Sequence, residues 1–235
     1  SVPEEIRERL LDGTLRAPTA GNMMLYSVID VRNPELKSRL SETCDHQPWI
    51  ASAPIVLVFL ADYQRWIDLF VDSGATGDGL LRPLGLGDLL LAASDALIAA
   101  QTATLLAESF GLSSCYVGDI LENHETHQEL LHLPEKTIPV TMLCIGYPAG
   151  NPAARELTPR LEQDTVVHRD RYHRRRADHL NAAFSPLTAR NDSPGEPGAM
   201  LEALVKRIYQ KKFSAEFSVE MNRSVASAVR RWSAE

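Results

Sequence analysis

The sequence predicts an α+β protein, and three observations carry that prediction. Four short apolar runs have the length of strands, and stripes of helical spacing accompany them. One long Ala-rich segment, residues 88–110, is apolar nearly all round. Helices mixed with a few short strands are the pattern of that class.

The elements follow in chain order. Ser1-Val2-Pro3-Glu4 reads as a capped helix start with an acid three residues on. Ile6, Leu10, Leu11 and Leu15 then form a stripe to about Arg16, which Pro18 stops. Ala17-Pro18-Thr19-Ala20-Gly21-Asn22 is a turn-forming loop. Residues 26–31 form a strand, and Asn33-Pro34-Glu35 opens a helix with a cap, an N1 proline and an early acid. The unbroken apolar run 55–60 is typical of a strand buried on both faces. A short helix over 65–73 leads into a loop with Gly74, Gly77, Gly79, Gly85 and Gly87. The 88–110 helix should be buried on most faces and ends at Gly111. Residues 115–117 and 140–145 are the last two strands, with a helix near 124–132 between them.

After Tyr147 the texture changes to a loop over 148–159, and residues 192–198 read as a linker. Phe213, Phe217, Met221, Val225, Val229 and Trp232 then mark a final amphipathic helix. Its apolar stripe needs cover from the protein's own fold or from a neighbouring subunit. The expected organisation is a domain over 1–172, a loop and linker over 173–198, and a helical extension over 199–235 that packs on the partner subunit.

Composition narrows the functional classes. The 235 residues are 44% hydrophobic and 23% charged, which suits an ordinary globular core. A net charge of -7 argues against general nucleic-acid binding, although arginines can still gather at one anion site. The longest apolar stretch, 89–110, is interrupted by Ser94, Asp95, Gln101 and Glu108, so no membrane partner is expected. Glu4, Glu5, Arg7 and Glu8 occupy the place of a secretory apolar region. Cys44, Cys115 and Cys144 lack metal or disulfide spacing and read as reduced thiols of a cytoplasmic protein.

Phosphate-loop, dinucleotide-fingerprint and nucleophile-elbow motifs are absent, and Gly77-Asp78-Gly79 is only a fragment of the second. His124 and His127 are spaced to share a helix face as metal ligands, or else are solvated first-turn residues. The basic run His168, Arg169, Arg171, His173, Arg174, Arg175 and Arg176 is either a solvated loop or an anion site. The Thr19-Ala20-Gly21-Asn22 loop has small side chains that let a flat polar ligand approach closely, or is simply a turn.

At these residues a family resemblance emerges. Arg16-Ala17-Pro18-Thr19-Ala20-Gly21-Asn22-Met23-Met24 resembles the Arg-x-x-Pro-Ser/Thr-x-x-Asn-x-Gln segment of the FMN-dependent nitroreductase and NAD(P)H-flavin oxidoreductase family. Gln47-Pro48-Trp49-Ile50-Ala51-Ser52-Ala53-Pro54 is similar to its next segment. Asp95-Ala96 and Gln101, followed by Gly111-Leu112-Ser113-Ser114-Cys115-Tyr116-Val117-Gly118, resemble its central helix and glycine-ended strand. Tyr147-Pro148, Pro159-Arg160-Leu161 and Val167-His168-Arg169-Asp170-Arg171-Tyr172 resemble the larger, NADPH-preferring branch. No single motif is specific, but their order is, over residues 1–172. Thr158 stands where the family usually has lysine, and Met24 where it has glutamine. The family's phosphate clamp begins with an arginine-rich stretch just before the first helix, and this sequence starts inside that helix.

The resemblance implies a mostly antiparallel central sheet flanked by helices, in a domain-intertwined homodimer with FMN at the interface. Pro18, Thr19, Ala20, Gly21 and Asn22 of one subunit are then expected at the flavin, with Gln47 and Trp49 from the other. Tyr116, Val117, Gly118 and Asp119 line the ring, with the Gly118 or Asp119 amide near N5, and Arg160 binds the phosphate. No side chain is expected to be catalytic and no metal is implied. NAD(P)H supplies electrons, and small acceptors such as nitroaromatics, quinones or free flavin receive them in a ping-pong cycle. Two other readings remain: a member for which flavin is itself the substrate, and a non-catalytic dimeric interaction protein on the same fold.

Overall fold

The run at 55–60 is apolar at every position because the strand it forms has a core on each side. In a computed structural model of the protein, which describes residues 1–75, 77, 81–150, 157–190 and 197–234, this strand is β2 (Ile55–Asp62). It pairs with β1 (Tyr26–Asp30) and with β4 (Thr137–Gly146), which in turn pairs with β3 (Ser113–Val117). The result is an antiparallel sheet in the order β1-β2-β4-β3. Ile55, Leu57 and Phe59 enter one core and Val56, Val58 and Leu60 the other, following the two-residue period of a strand.

Helices α1 (Glu4–Thr14) and α5 (Leu86–Ser109) cover the first face. The second is covered from α2 (Pro34–Thr43), α3 (Pro48–Ser52) and the residues around α6 (His124–Leu130). α4 (Gln64–Asp72) follows β2. Later come α7 (Gln163–Val166), α8 (Ala177–Phe184), α9 (Pro197–Ile208) and α10 (Glu216–Trp232). The chain forms two compact units, one of Ser1–Gly150 with Val219–Glu235 and one of Asn151–Ser218.

α5 explains its own composition. Ala92, Ala96, Ala99, Ala100, Ala103 and Ala107 are buried, and such small side chains let the helix lie close on the sheet. The opposite side exposes leucines, so α5 is long and apolar enough to cross a membrane by composition, yet its alanine face belongs to the sheet's core. α10 contributes Ala228 and Trp232 to a third core with Tyr63, Ala92 and Ile138. It is also fastened to the α6 end, where Ser224 Oγ accepts from the His124 amide at 2.8 Å and Arg223 pairs with Glu125 at 2.9 Å, and to Lys136, whose Nζ donates to the Trp232 carbonyl at 3.1 Å. Arg223 and Ser227 hold the Glu125 carboxyl well below the usual carboxylate range.

Several expectations change. Ser1 does not cap α1: Pro3 precedes the helix in extended geometry, and its carbonyl accepts from the Ile6 and Arg7 amides. β4 starts at Thr137, three residues before the expected 140–145 strand, and so takes in Pro139. The register slips between Phe59 and Leu60, so the missing N–H falls at an irregularity. His124 and His127 are buried rather than solvated, as described below. Phe213 lies in a π-helical turn before α10 and is exposed, so the expected stripe starts at Phe217. Gly79 of the glycine-rich loop with Asp78, residues 151–156 of the following loop, and residues 192–196 of the linker lie outside the described residues.

Candidate flavin site

The Thr19-to-Leu25 loop is held from two helices. Asp95 on α5, only 2% exposed, accepts from the Thr19 hydroxyl, from the Ala20 amide at 2.9 Å and from the Leu25 amide at 3.1 Å. From α4, Arg65 Nη2 donates to the Met24 and Tyr26 carbonyls at 2.6 and 2.7 Å, and Trp66 Nε1 donates to the Met23 carbonyl at 2.8 Å. These bonds sustain a sharp backbone: Gly21, Asn22 and Met24 have φ of 56°, 57° and 51°, a region that only glycine and, less readily, asparagine adopt at small cost. Thr19 Oγ1 also accepts from the Met24 amide at 2.8 Å, so its hydroxyl is spent inside the loop. Pro18, Gly21 and Asn22 form the exposed tip, with Thr19 and Ala20 half-buried beneath it.

A second patch forms where β3 ends. β3's last pairing is Val117 with Met142, so Gly118 and Asp119 continue beyond the ladder into a 3-10 turn, Asp119–Leu121. Val117 buries its side chain in the second core and offers only main chain. A side chain at Gly118 would meet no atom within 4 Å, so the backbone there faces open space. Gln47, the residue before α3, donates Nε2 to Asp119 Oδ2 at 2.6 Å and to the Cys44 carbonyl at 3.0 Å. Trp49 and Tyr116 are both well exposed, and the Tyr116 hydroxyl donates to Gln101 on α5 at 3.2 Å. Gln47, Trp49 and Tyr116–Asp119 thus belong to one region, tied by the Gln47–Asp119 bond.

The two patches lie at opposite edges of the sheet. The loop feeds β1 and the second patch ends β3, and these are the two edge strands. Three strand spacings of about 4.8 Å separate them, roughly 14 Å in all.

Behind the second patch lie groups that sequence reasoning did not select. Glu122 is 6% exposed and its Oε1 has no hydrogen-bond partner. Burial, then the neighbouring Asp119 carboxyl, push Glu122 up to about 7, with Asp45 and Glu220 adding to the effect. His127 is fully buried: Nδ1 meets the Ile120 carbonyl at 3.0 Å and Nε2 the Thr43 hydroxyl at 2.8 Å. Burial lowers its affinity for a proton, so the ring serves as a neutral bridge between α2 and α6. Burial pushes the Cys44 thiol up to about 12, with Asp119 and Glu122 nearby, which leaves it an unreactive core group.

Arg160 and the basic run belong to the second unit. Arg160 is exposed, and its Nη1 makes long contacts of 3.4 and 3.3 Å with the Thr158 and Pro159 carbonyls. A cleft of about 700 Å³ in this unit is lined by Glu162, Asp164, His168, Arg169, His173 and Arg175 among others, a mixed rather than purely basic surface. His168 packs on Tyr172 with ring centres 4.5 Å apart.

The donor set suits a flavin nucleotide. An exposed main-chain tip held rigid from behind, open backbone at Gly118 and exposed aromatics suit a flat ring.

The chain's likenesses agree with that chemistry. The sequence profile described as Nitroreductase family matches residues 1–147. The protein described as FMN reductase [NAD(P)H] from Bacillus subtilis (strain 168) is 36% identical over 171 residues, 73% of this chain and 67% of that one. The crystal structure of nitroreductase A from Vibrio parahaemolyticus RIMD 2210633 superposes with a TM-score of 0.78 at 27% identity, covering 97% of this chain and 89% of that one. The NADPH:FMN oxidoreductase from Vibrio harveyi complexed with NAD+ does so with a TM-score of 0.75 at 26% identity, over 97% and 90% of the two chains.

Proposed function

The chain belongs to the Nitroreductase family, and from that premise we propose that it is an FMN-dependent NAD(P)H oxidoreductase acting on small acceptors such as nitroaromatics, quinones or free flavin. FMN, when bound, supplies the chemistry by taking a hydride from NAD(P)H and passing electrons to the acceptor in a ping-pong cycle. The protein's part is to bind, orient and exclude water.

The observation that carries this reading is the pair of braced patches on opposite edges of one sheet. In a homodimer, Pro18 to Asn22 of one subunit would face Gln47, Trp49 and Tyr116 to Asp119 of the other, and these residues together would hold the ring. The exposed Leu86, Leu90, Leu97, Ile98 and Leu105 of α5 supply an apolar surface for that pairing. The open main chain at Gly118 and Asp119 offers an amide to the ring atom that accepts hydride.

Arg160 is assigned to the phosphate, in keeping with the absence of a lysine at Thr158. A charge-assisted bond of about 1.5–3 kcal/mol makes Arg160→Ala weaken FMN by about 10- to 100-fold. Riboflavin has no phosphate, and its affinity should hardly change. Equal losses for both ligands would move the phosphate elsewhere.

The deciding experiment is FMN titration followed by fluorescence, then NADPH turnover with a quinone. Saturable yellow binding with steady turnover supports the reductase. Binding without turnover favours flavin as substrate, and no binding up to millimolar FMN leaves only a non-catalytic role.

A further inference from the structure

Glu122 has no part in the reading above, yet it is the most unusual polar group of the first unit. It follows the Asp119–Leu121 turn, is 94% buried by its 6% exposure, and leaves Oε1 without a partner. Its amide donates to the Asp119 carbonyl at 3.0 Å across that turn, and side chains three apart in a 3-10 turn lie one over the other, which makes the two carboxyls neighbours. Two carboxyls can hydrogen-bond only when one of them carries a proton. Asp119 Oδ2 already accepts from Gln47 Nε2, so Asp119 sits between a donor amide and a second acid.

The surroundings decide which acid keeps the proton. Asp45 from the loop after α2, Asp119 from its own turn and Glu220 from α10 all disfavour a charge on Glu122. The nearby cation, Arg223, is occupied by Glu125 and Glu220. His127 faces the Ile120 carbonyl, Thr43 and Cys44, and His124 is itself buried. No positive group in that set is aimed at Glu122, so it is the member that stays neutral.

We propose that Glu122 is a positioning residue for the flavin ring, its carboxylic proton donated to Asp119 so that Asp119 and Gln47 hold the end of β3 where the ring binds. This rests on the proposed flavin site. Ionising Glu122 releases one proton to solvent and replaces the hydrogen bond with repulsion between two carboxylates. The Gly118 and Asp119 main chain then loses its brace, and flavin affinity falls as pH rises past neutrality.

The probe is riboflavin, whose neutral ring and absent phosphate bring no titration of their own near pH 7. Affinity is measured from pH 6 to 9 by fluorescence. The wild type should weaken by about 10-fold across that range, the size of one lost bond of about 1.4 kcal/mol. Glu122→Gln, which mimics the neutral acid and can still donate to Asp119, should vary by less than about twofold. Asp119→Asn should move the midpoint to lower pH, because the acid beside Glu122 is gone. A wild type that binds riboflavin equally at all pH values overturns the inference and leaves the flavin reading standing. So does a Glu122→Gln profile that matches the wild type. Absence of any flavin binding by the wild type overturns both. Should Glu122→Gln fail to fold, the Asp119→Asn midpoint decides alone, and an unmoved midpoint is the contrary result.

Discussion

Two buried acids brace the two halves of the candidate site, and they do so in opposite senses. Asp95 lies under the Thr19 loop and accepts from one hydroxyl and two amides. Glu122 lies one turn beyond Asp119, is nearly as buried, and has that acid for its neighbour. The first braces as an acceptor and the second as a donor. What a buried carboxyl does is set by the groups that converge on it, since burial alone makes every unpaired charge costly.

The largest effect expected from this contrast is at Asp95. Asp95→Ala leaves the Ala20 and Leu25 amides without their acceptor, and unpaired buried donors cost about 1–3 kcal/mol each. A loss on the order of 3–5 kcal/mol in urea unfolding is expected, with FMN affinity down at least about 100-fold. Asp95→Asn keeps an acceptor oxygen and should lose about half as much stability. Unchanged FMN binding in Asp95→Ala would break the comparison, because the loop would then need no acceptor beneath it.

The next effect is on stability against pH. Glu122 has a folded value of about 7, above the ordinary 4.5 of the unfolded chain. A raised acid contributes stability that is fully present below the unfolded value and is lost as pH climbs towards the folded one. The wild type should therefore lose stability relative to Glu122→Gln between about pH 4.5 and pH 7, by roughly 3.5 kcal/mol at about 1.4 kcal/mol per unit. The melting-temperature gap between the two proteins should be wider at pH 8 than at pH 5. A gap of constant width would show that Glu122 binds protons alike in both states.

The contrast also explains what the sequence made legible. β2 was readable because a strand buried on both faces must be apolar throughout, and the central helix because its alanines and leucines have no other use in water. The Thr19 loop and the Gly118 strand end were readable from small residues beside proline and glycine. Asp95 stood within the family-like helix, but nothing local marks its target, which lies 70 to 76 residues earlier in the chain. Glu122 and Asp119 share a turn, yet a Glu beside an exposed-looking Asn and His reads as solvent-facing until α2 and α10 close around it. The histidines misled for the same reason: their partners, Thr43 and Ser224, are distant in sequence.

The smallest effect is the sharpest in sign, and it concerns Gln47. Its amide donates to Asp119 at 2.6 Å, but the side chain is half-buried, so water can replace part of what is lost. Gln47→Ala should cost about 1 kcal/mol of stability and weaken flavin by about fivefold. Its effect on pH dependence is more telling. With the Gln47 donor removed, Asp119 depends on Glu122 alone for a hydrogen bond, so the Glu122 proton is held more tightly. The midpoint of riboflavin affinity should move to higher pH, opposite to the shift expected for Asp119→Asn. A neutral donor and a neighbouring acid thus pull the same titration in contrary directions, which general damage to the fold cannot imitate. If Gln47→Ala moves the midpoint downward, Gln47 and Glu122 do not share Asp119, and the donor brace is wrongly assigned.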